Sequence, residues 1–189
     1  MRNPYFFGYG SLVNLATHDY YDPQPARLKG WRRAWVQTSG RGISYLTGVP
    51  CANSEIDGLI AAVPGADWQA LDLRETGYDR LPSDGAVQHE MEALPEISVY
   101  AVPSSTWVLG GERQPILLSY LDVVVQGYEQ VFGEAGVAAF FASTDGWDAP
   151  ILNDRDAPQY PRHQPLATVQ RDLVDHHVDA IGAKLVTAG

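Results

Sequence analysis

The chain has a single cysteine, Cys51, among its 189 residues, so no disulfide can close within it. That points to a reducing compartment and a cytoplasmic protein. Cys51 follows Pro50 in a turn-rich stretch with no histidine near it in sequence, which disfavours a thiol nucleophile. Basic residues are scarce as well: 13 Lys and Arg stand against 23 Asp and Glu, for a net charge of −10 and a pI near 4.7. A chain of that sign offers no broad basic surface to nucleic acid or to an anionic membrane. No apolar run approaches the length of a membrane span, and the short N-terminal one runs straight into a Gly-rich turn, unlike a signal peptide. Metal ligands are thin too. His176 and His177 are adjacent, with Asp172 four residues before His176, but neighbouring histidines diverge on a helix and no third ligand has suitable spacing. No metal and no cofactor is therefore expected. There is no internal repeat, low-complexity tract or domain boundary. At 45% hydrophobic and 19% charged residues, the chain reads as one globular domain with a sizeable core.

What is present concentrates near the N-terminus. Tyr5-Phe6-Phe7-Gly8-Tyr9 reads as a buried aromatic strand broken by glycine. Gly10 and Ser11 follow, where the chain can turn and begin a helical turn. A strand ending in Gly-Ser leaves several backbone N–H groups pointing to one place, a concavity suited to an anion or a polarised carbonyl oxygen. Ser11 is not a hydrolase nucleophile by pattern, because Gly10 and Leu12-Val13 do not make Gly-x-Ser-x-Gly. Nor do these glycines form a dinucleotide or P-loop signature.

The second informative stretch is a predicted helix from Trp68, capped by Asp67. Trp68, Leu71 and Glu75 share one face, which puts a carboxylate on the apolar side just before Gly77 as the helix stop. A buried glutamate is rare unless it is paired or functional.

Elsewhere, residues 13–25 read as a loop and 26–38 as a strand whose Arg27, Lys29, Arg32 and Arg33 form the only basic cluster. That cluster is a solvated strand face or, in a functional reading, an attractor of acidic substrate. Residues 39–55 read as a loop or short hairpin around Ile43 to Leu46, Ile56 to Val63 as a strand, and 86–102 as two strands, with Ile97 to Val102 the clearer. Pro115 to Phe132 is the strongest helix, with Pro115 in its first turn, followed by a short helix from Gly136 to Ser143. Residues 144–166 are irregular. Thr168 to Val186 reads as a closing helix with Val169, Leu173, Ile181 and Leu185 on its apolar face.

Taken together, Tyr9-Gly10-Ser11-Leu12 and Glu75-Thr76-Gly77-Tyr78 resemble the paired motifs of the γ-glutamylcyclotransferase-like family, which includes the ChaC-like enzymes. The stretch from Thr144-Asp145-Gly146-Trp147 to Pro158-Gln159-Tyr160-Pro161-Arg162 is similar to bacterial members. The resemblance implies an α+β fold: a small, mixed, mostly antiparallel β-barrel with packed helices. It also implies cyclisation of a γ-glutamyl group to 5-oxoproline with release of an amine. Glu75 would be the acid–base residue. Tyr9, Gly10, Ser11, Leu12, Tyr78, Tyr160 and Arg162 would bind substrate, with Arg155 a further candidate for its carboxylates. The partner is a small γ-glutamyl molecule, and the oligomeric state, monomer or dimer, stays open. The ChaC-like Trp-x-Pro continuation after the first motif is replaced by Val13-Asn14-Leu15. The leaving group is therefore left open among amines, amino acids and peptides. A non-catalytic binding protein on the same fold, or a γ-glutamyl acyltransferase, are the alternatives.

Overall fold

The computed structural model describes residues 3–40, 42–83, 85–92 and 95–187. Ten strands and three α-helices alternate. The strands are β1 (Tyr5–Gly8), β2 (Tyr21–Gln37), β3 (Ser44–Ala62), β4 (Asp79–Pro82), β5 (Val87–His89), β6 (Ile97–Ala101), β7 (Ile116–Leu117), β8 (Thr144–Asp145), β9 (Ile151–Asn153) and β10 (Leu185–Thr187). The helices are α1 (Gln69–Arg74), α2 (Leu118–Ala142) and α3 (Thr168–Ala180). The expected α+β class holds. The main sheet runs β4-β6-β1-β3-β2-β5 with β8 added beside β2, and every pairing is antiparallel except β1 with β6 and β2 with β8. A small parallel sheet, β10-β9-β7, sits apart.

The expected barrel is not closed, because β4 and β5 remain the two edges of the ladder. Yet only residues 83–86 separate them, a stretch of chain that spans ~18 Å at most between Pro82 and Val87. The Ser83 N–H bonds Ile97 O on one side and the Lys29 N–H bonds Ala86 O on the other. The two edge strands thus lie near each other, linked through Ser83 and Ala86 in place of strand pairing.

The β2–β3 hairpin is far longer than the sequence suggests. The stretch 39–55, read as a loop or short hairpin, is strand from Ser44 on, and the loop at 13–25 gives way to strand at Tyr21. Tyr21 begins β2 despite Pro23 and Pro25, and β3 runs unbroken in assignment from Ser44. Pro23 falls in the irregular register between Tyr21 and Gln24, where no ladder donor is needed. A second irregularity lies at Gly30 (φ +77), where the pairing passes from Lys29↔Glu55 to Trp31↔Pro50. A bulge of this kind reverses which residues face inward. Before it Ala26 and Leu28 are buried; after it Arg33, Trp35 and Gln37 are.

The aromatic residues of β1 reach the core as expected, with Phe6 and Phe7 packed among Leu28, Ile56, Leu59 and Ile60. Helix α2 closes that core through Leu121, Val124, Val125 and Tyr128. It kinks at Gly133 (φ 66, ψ −172), so it behaves as the two successive helices the sequence suggests. Pro115 lies outside it, ahead of β7. Helix α3 is shorter than expected and buries Val174 and Val178 most deeply; of the predicted face Leu173 and Ile181 pack partly buried against the core, while Val169 is 72% exposed and Leu185 is exposed in β10. The chain turns at Gly182 and pairs in parallel with β9, which ends the helix. No helix among the described residues is long and apolar enough to cross a membrane.

Candidate active site

Strand β1 stops at Gly8, and Ser11–Val13 form a 3₁₀ turn closed by Val13 N–H to Gly10 O (3.0 Å) and Asn14 N–H to Ser11 O (3.1 Å). The N–H groups of Ser11 and Leu12 open this turn, so they take no acceptor inside it. The turn is pinned from behind. Asn14 is fully buried, and its Nδ2 donates to Val123 O (2.9 Å) and Gln126 Oε1 (2.8 Å) of α2. That approach requires glycine at 127, where a Cβ would come within 2.7 Å of Asn14 N. Helix and turn therefore meet backbone to backbone.

Facing the turn is the end of α1. Asp67 caps Gln69 N–H (3.2 Å), one residue later than expected, and Leu71 is buried beneath. Glu75 occupies the C-cap with φ −92 and ψ 30, and Gly77 (φ +99) lies in the turn that follows. The Glu75 side chain is only 16% exposed. Its one ion-pair partner is Arg74, whose Nε lies 3.1 Å from Oε1. Arg74 spends its other donors on the turn: Nη1 to Thr17 O (2.8 Å), and Nη2 to Thr17 Oγ1 (3.0 Å) and Ser11 Oγ (3.3 Å). Burial pushes the Glu75 carboxyl above the ordinary carboxylate range, while Arg74 and Arg162 pull it the other way and lose.

Between turn and helix lies a cleft of about 170 Å³, lined by Ser11, Glu75, Arg74, Tyr78, Tyr120, Tyr160, Arg162 and, at the start of β3, Ile43 to Leu46. A smaller recess of about 30 Å³ adjoins it at Tyr9, Gly10 and Leu12. The predicted residues Glu75, Ser11, Tyr78, Tyr160 and Arg162 thus converge on the cleft, and Tyr9, Gly10 and Leu12 on the recess. Tyr78 is anchored by its hydroxyl to Leu46 O (2.9 Å), Tyr9 by its hydroxyl to Tyr100 O, and Tyr160 by its hydroxyl to Ser11 Oγ (2.8 Å). Burial holds the phenols of Tyr9, Tyr78 and Tyr120 in the neutral, proton-donating form, each above its usual range. Arg162 makes no side-chain hydrogen bond or ion pair among the described residues, though Glu75 feels its charge.

Arg155 is not brought to the cleft. It is spent on Asp122 (2.8 and 2.7 Å) and Asp175 (2.7 Å). The basic cluster of β2 is no site mouth either. Arg27 pairs with Asp57 and Glu55, Arg32 with Asp145, and Arg33 is wholly buried. The ring of His177 stacks on Phe141 at 4.8 Å, and among the described residues no three potential metal ligands converge.

Arg74 and Tyr120 are among the lining residues that the sequence reading did not name. Arg74 is adjacent to Glu75, and that adjacency is a signal available in the sequence. Tyr120 lies off the apolar stripe of α2. Its hydroxyl sits so close over Gly10 that a Cβ there would come within 2.6 Å of it, and its ring meets Tyr160 edge-on at 5.0 Å.

No protein-family model and no curated protein matches the sequence. Solved structures do match. A γ-glutamyl cyclotransferase superposes with a TM-score of 0.57 at 12% identity over 92% of this chain and 99% of its own. An uncharacterised protein from Homo sapiens gives 0.55 at 12% identity over 93% and 99%. YkqA from Bacillus subtilis gives 0.56 at 18% identity, covering 77% of this chain; the chain spans 57% of YkqA's length. The fold is that of γ-glutamyl cyclotransferase-like structures.

Proposed function

We propose that this chain cyclises the γ-glutamyl group of a small amine, amino acid or peptide conjugate, releasing 5-oxoproline and the free amine. The observation that carries the reading is one carboxylate, Glu75, its pKa raised by burial, set against the glycine turn of Gly10 to Leu12, where the Tyr120 hydroxyl already takes the Ser11 N–H. The substrate's α-amine attacks its own γ-carbonyl carbon, forming the ring C–N bond. Glu75 accepts the proton that the amine loses, and delivers it to the departing nitrogen as the original amide bond breaks. One group serves both steps only if its pKa lies between an ordinary carboxylate's and neutrality. The carbonyl oxygen turns negative in the tetrahedral intermediate, where the N–H groups of Gly10, Ser11 and Leu12 can receive it. Holding the folded-back conformer supplies much of the rate, since the attack is intramolecular. Arg162, half-buried at the cleft without a carboxylate of its own, suits the substrate's α-carboxylate. The chemistry asks for no cofactor.

The test is stoichiometric release of 5-oxoproline and amine from a panel of γ-glutamyl compounds. Binding without product would replace this reading with a non-catalytic binding protein. Appearance of a new γ-glutamyl amide with a second amine would replace it with an acyltransferase. Neither product nor binding across the panel would overturn it.

A further inference from the structure

Arg33 is 0% exposed, the largest wholly buried side chain, and no carboxylate pairs with it among the described residues. A buried cation without a counter-ion is costly, and apolar replacement of such groups is often neutral or stabilising. Its donors all go to neutral oxygens. Nη1 bonds Ser143 Oγ (2.7 Å), Nη2 bonds the Asp57 carbonyl and the Tyr128 hydroxyl, and Nε bonds the Tyr9 carbonyl at 3.1 Å. The guanidinium lies over the rings of Tyr128 (5.0 Å) and Phe140 (5.3 Å). Tyr128 also approaches the Tyr9 carbonyl at 3.0 Å, but its one proton is shared between that oxygen and Asp57 O at 2.7 Å. Arg33 Nε is thus the donor committed to Tyr9 O.

That carbonyl is half of the Tyr9–Gly10 peptide. The unit is trans, so the Gly10 N–H points opposite to Tyr9 O. The oxygen is turned to the buried cation and Gly10 borders the recess beside Glu75. We infer that Arg33 is a positioning residue for the reaction: it locks the Tyr9–Gly10 peptide with its N–H toward the recess and places a positive charge behind it, so that Gly10 donates more strongly to a developing oxyanion. This role rests on the cyclotransferase reading. The physical reason is that hydrogen bonds in series polarise one another, and that charge acts at long range where no water screens it. Such a donor acts mainly in the transition state, so its loss appears in kcat and little in KM.

The experiment uses Arg33→Met, Arg33→Lys, Tyr128→Phe and Ser143→Ala in the full chain, each read by thermal melting, by kcat and KM, and by the Gly10 amide resonance in ¹⁵N-labelled protein. Expected for the Arg33 variants is a shifted Gly10 amide with Val13 and Asn14 unmoved, and a kcat loss of about tenfold or more with KM nearly constant, short of the hundredfold scale of deleting an oxyanion donor. Tyr128→Phe, which removes a guanidinium acceptor together with the hydroxyl's own approach to Tyr9 O, should move the same resonance and lower kcat less; Ser143→Ala, which frees Nη1 without touching Tyr9 O, should do so too and carries the test if the Arg33 variants fail to fold. An unmoved Gly10 amide, or an unchanged kcat, in a folded variant overturns the inference. A fall in activity that only tracks the melting temperature does so as well. If the wild-type chain forms no 5-oxoproline, it is the proposed function that fails; the amide measurement still decides whether Arg33 orients the peptide.

Discussion

The cleft has two unlike walls. Its floor, Gly8 to Asn14 with Arg74 and Glu75, is held by Arg33 of β2 on the Tyr9 carbonyl, by Arg74 of α1 on Ser11 Oγ and Thr17 O, and by the Asn14 side chain on Val123 O of α2. Its outer wall is a strap, residues 154–162, that lies mostly at the surface and reaches the cleft with Tyr160 and Arg162. A buried carboxylate anchors the root of the strap. Asp154 accepts from Ser119 N–H (2.8 Å), Ser119 Oγ–H (2.6 Å) and Gln159 N–H (2.8 Å), and so caps α2 and fixes the strap together. A buried floor can hold reacting groups to a fraction of an ångström, whereas a largely exposed strap, anchored through Asp154, Arg155 and Tyr160, can change its remaining contacts at smaller cost. The division predicts that floor substitutions act on kcat and strap substitutions on KM and on the choice of leaving group.

The largest effect should come from the floor. Glu75→Gln keeps the shape and removes the proton shuttle, so turnover should fall at least about a hundredfold while γ-glutamyl compounds still bind by calorimetry. Wild-type turnover would overturn the assignment. Because burial raises the Glu75 pKa in the folded state, the folded chain holds that proton to higher pH than the unfolded chain does. Stability from this group is therefore full below the ordinary carboxylate range and falls as pH rises through the raised value. Melting curves at pH 4 and pH 8 should show Glu75→Gln at or above wild type at the higher pH, with the gap closing at the lower.

Next is Gly10→Ala, whose methyl would meet the Tyr120 hydroxyl at 2.6 Å and Leu46 Cδ2 at 3.4 Å. Overpacking of this kind costs about 1–3 kcal/mol, enough for a roughly tenfold loss of kcat/KM. Tyr120→Phe removes the clashing oxygen, so the double variant should regain much of the loss relative to Tyr120→Phe alone. No rescue would mean that Gly10 matters for another reason.

On the strap, Arg162→Met should raise KM about tenfold, the scale of one charged hydrogen bond, with kcat within about twofold. A kcat loss instead would erase the distinction between the walls. The smallest effect is expected where they touch. Ser11 Oγ accepts from Tyr160 OH (2.8 Å) and from Arg74 (3.3 Å), so Ser11→Ala should cost about one neutral hydrogen bond, roughly fivefold in kcat/KM, if only the backbone N–H of residue 11 acts in chemistry.

Local pattern carried a good part of this far. The aromatic β1, the α1 face with Leu71 buried and Glu75 beside it, strand β6 and the two-part helix α2 follow from residues near each other in sequence, because periodicity and capping are short-range effects. What failed was long-range. Pro115 does not start α2; Asp154, 35 residues beyond Ser119, supplies its cap. Arg155 reads as a carboxylate binder by residue type, yet Asp122 and Asp175 claim it.

Residue chemistry alone determined a glycine-broken aromatic strand and a glutamate on the apolar side of a short helix, since both are local features; that the two would meet was expected only from the resemblance to a family. Only the tertiary structure decided which arginines serve that meeting. Arg32 and Arg33 are the same residue type on one strand, and alternation alone gives one of them to solvent and the other to the core. The bulge at Gly30 settles which, by reversing the facing of every residue after it. Glycine there is compatible with a regular strand or a bulge. The pairing with β3 imposes the bulge, and so Arg33 lies under the Tyr9 carbonyl while Arg32 pairs with Asp145 at the surface.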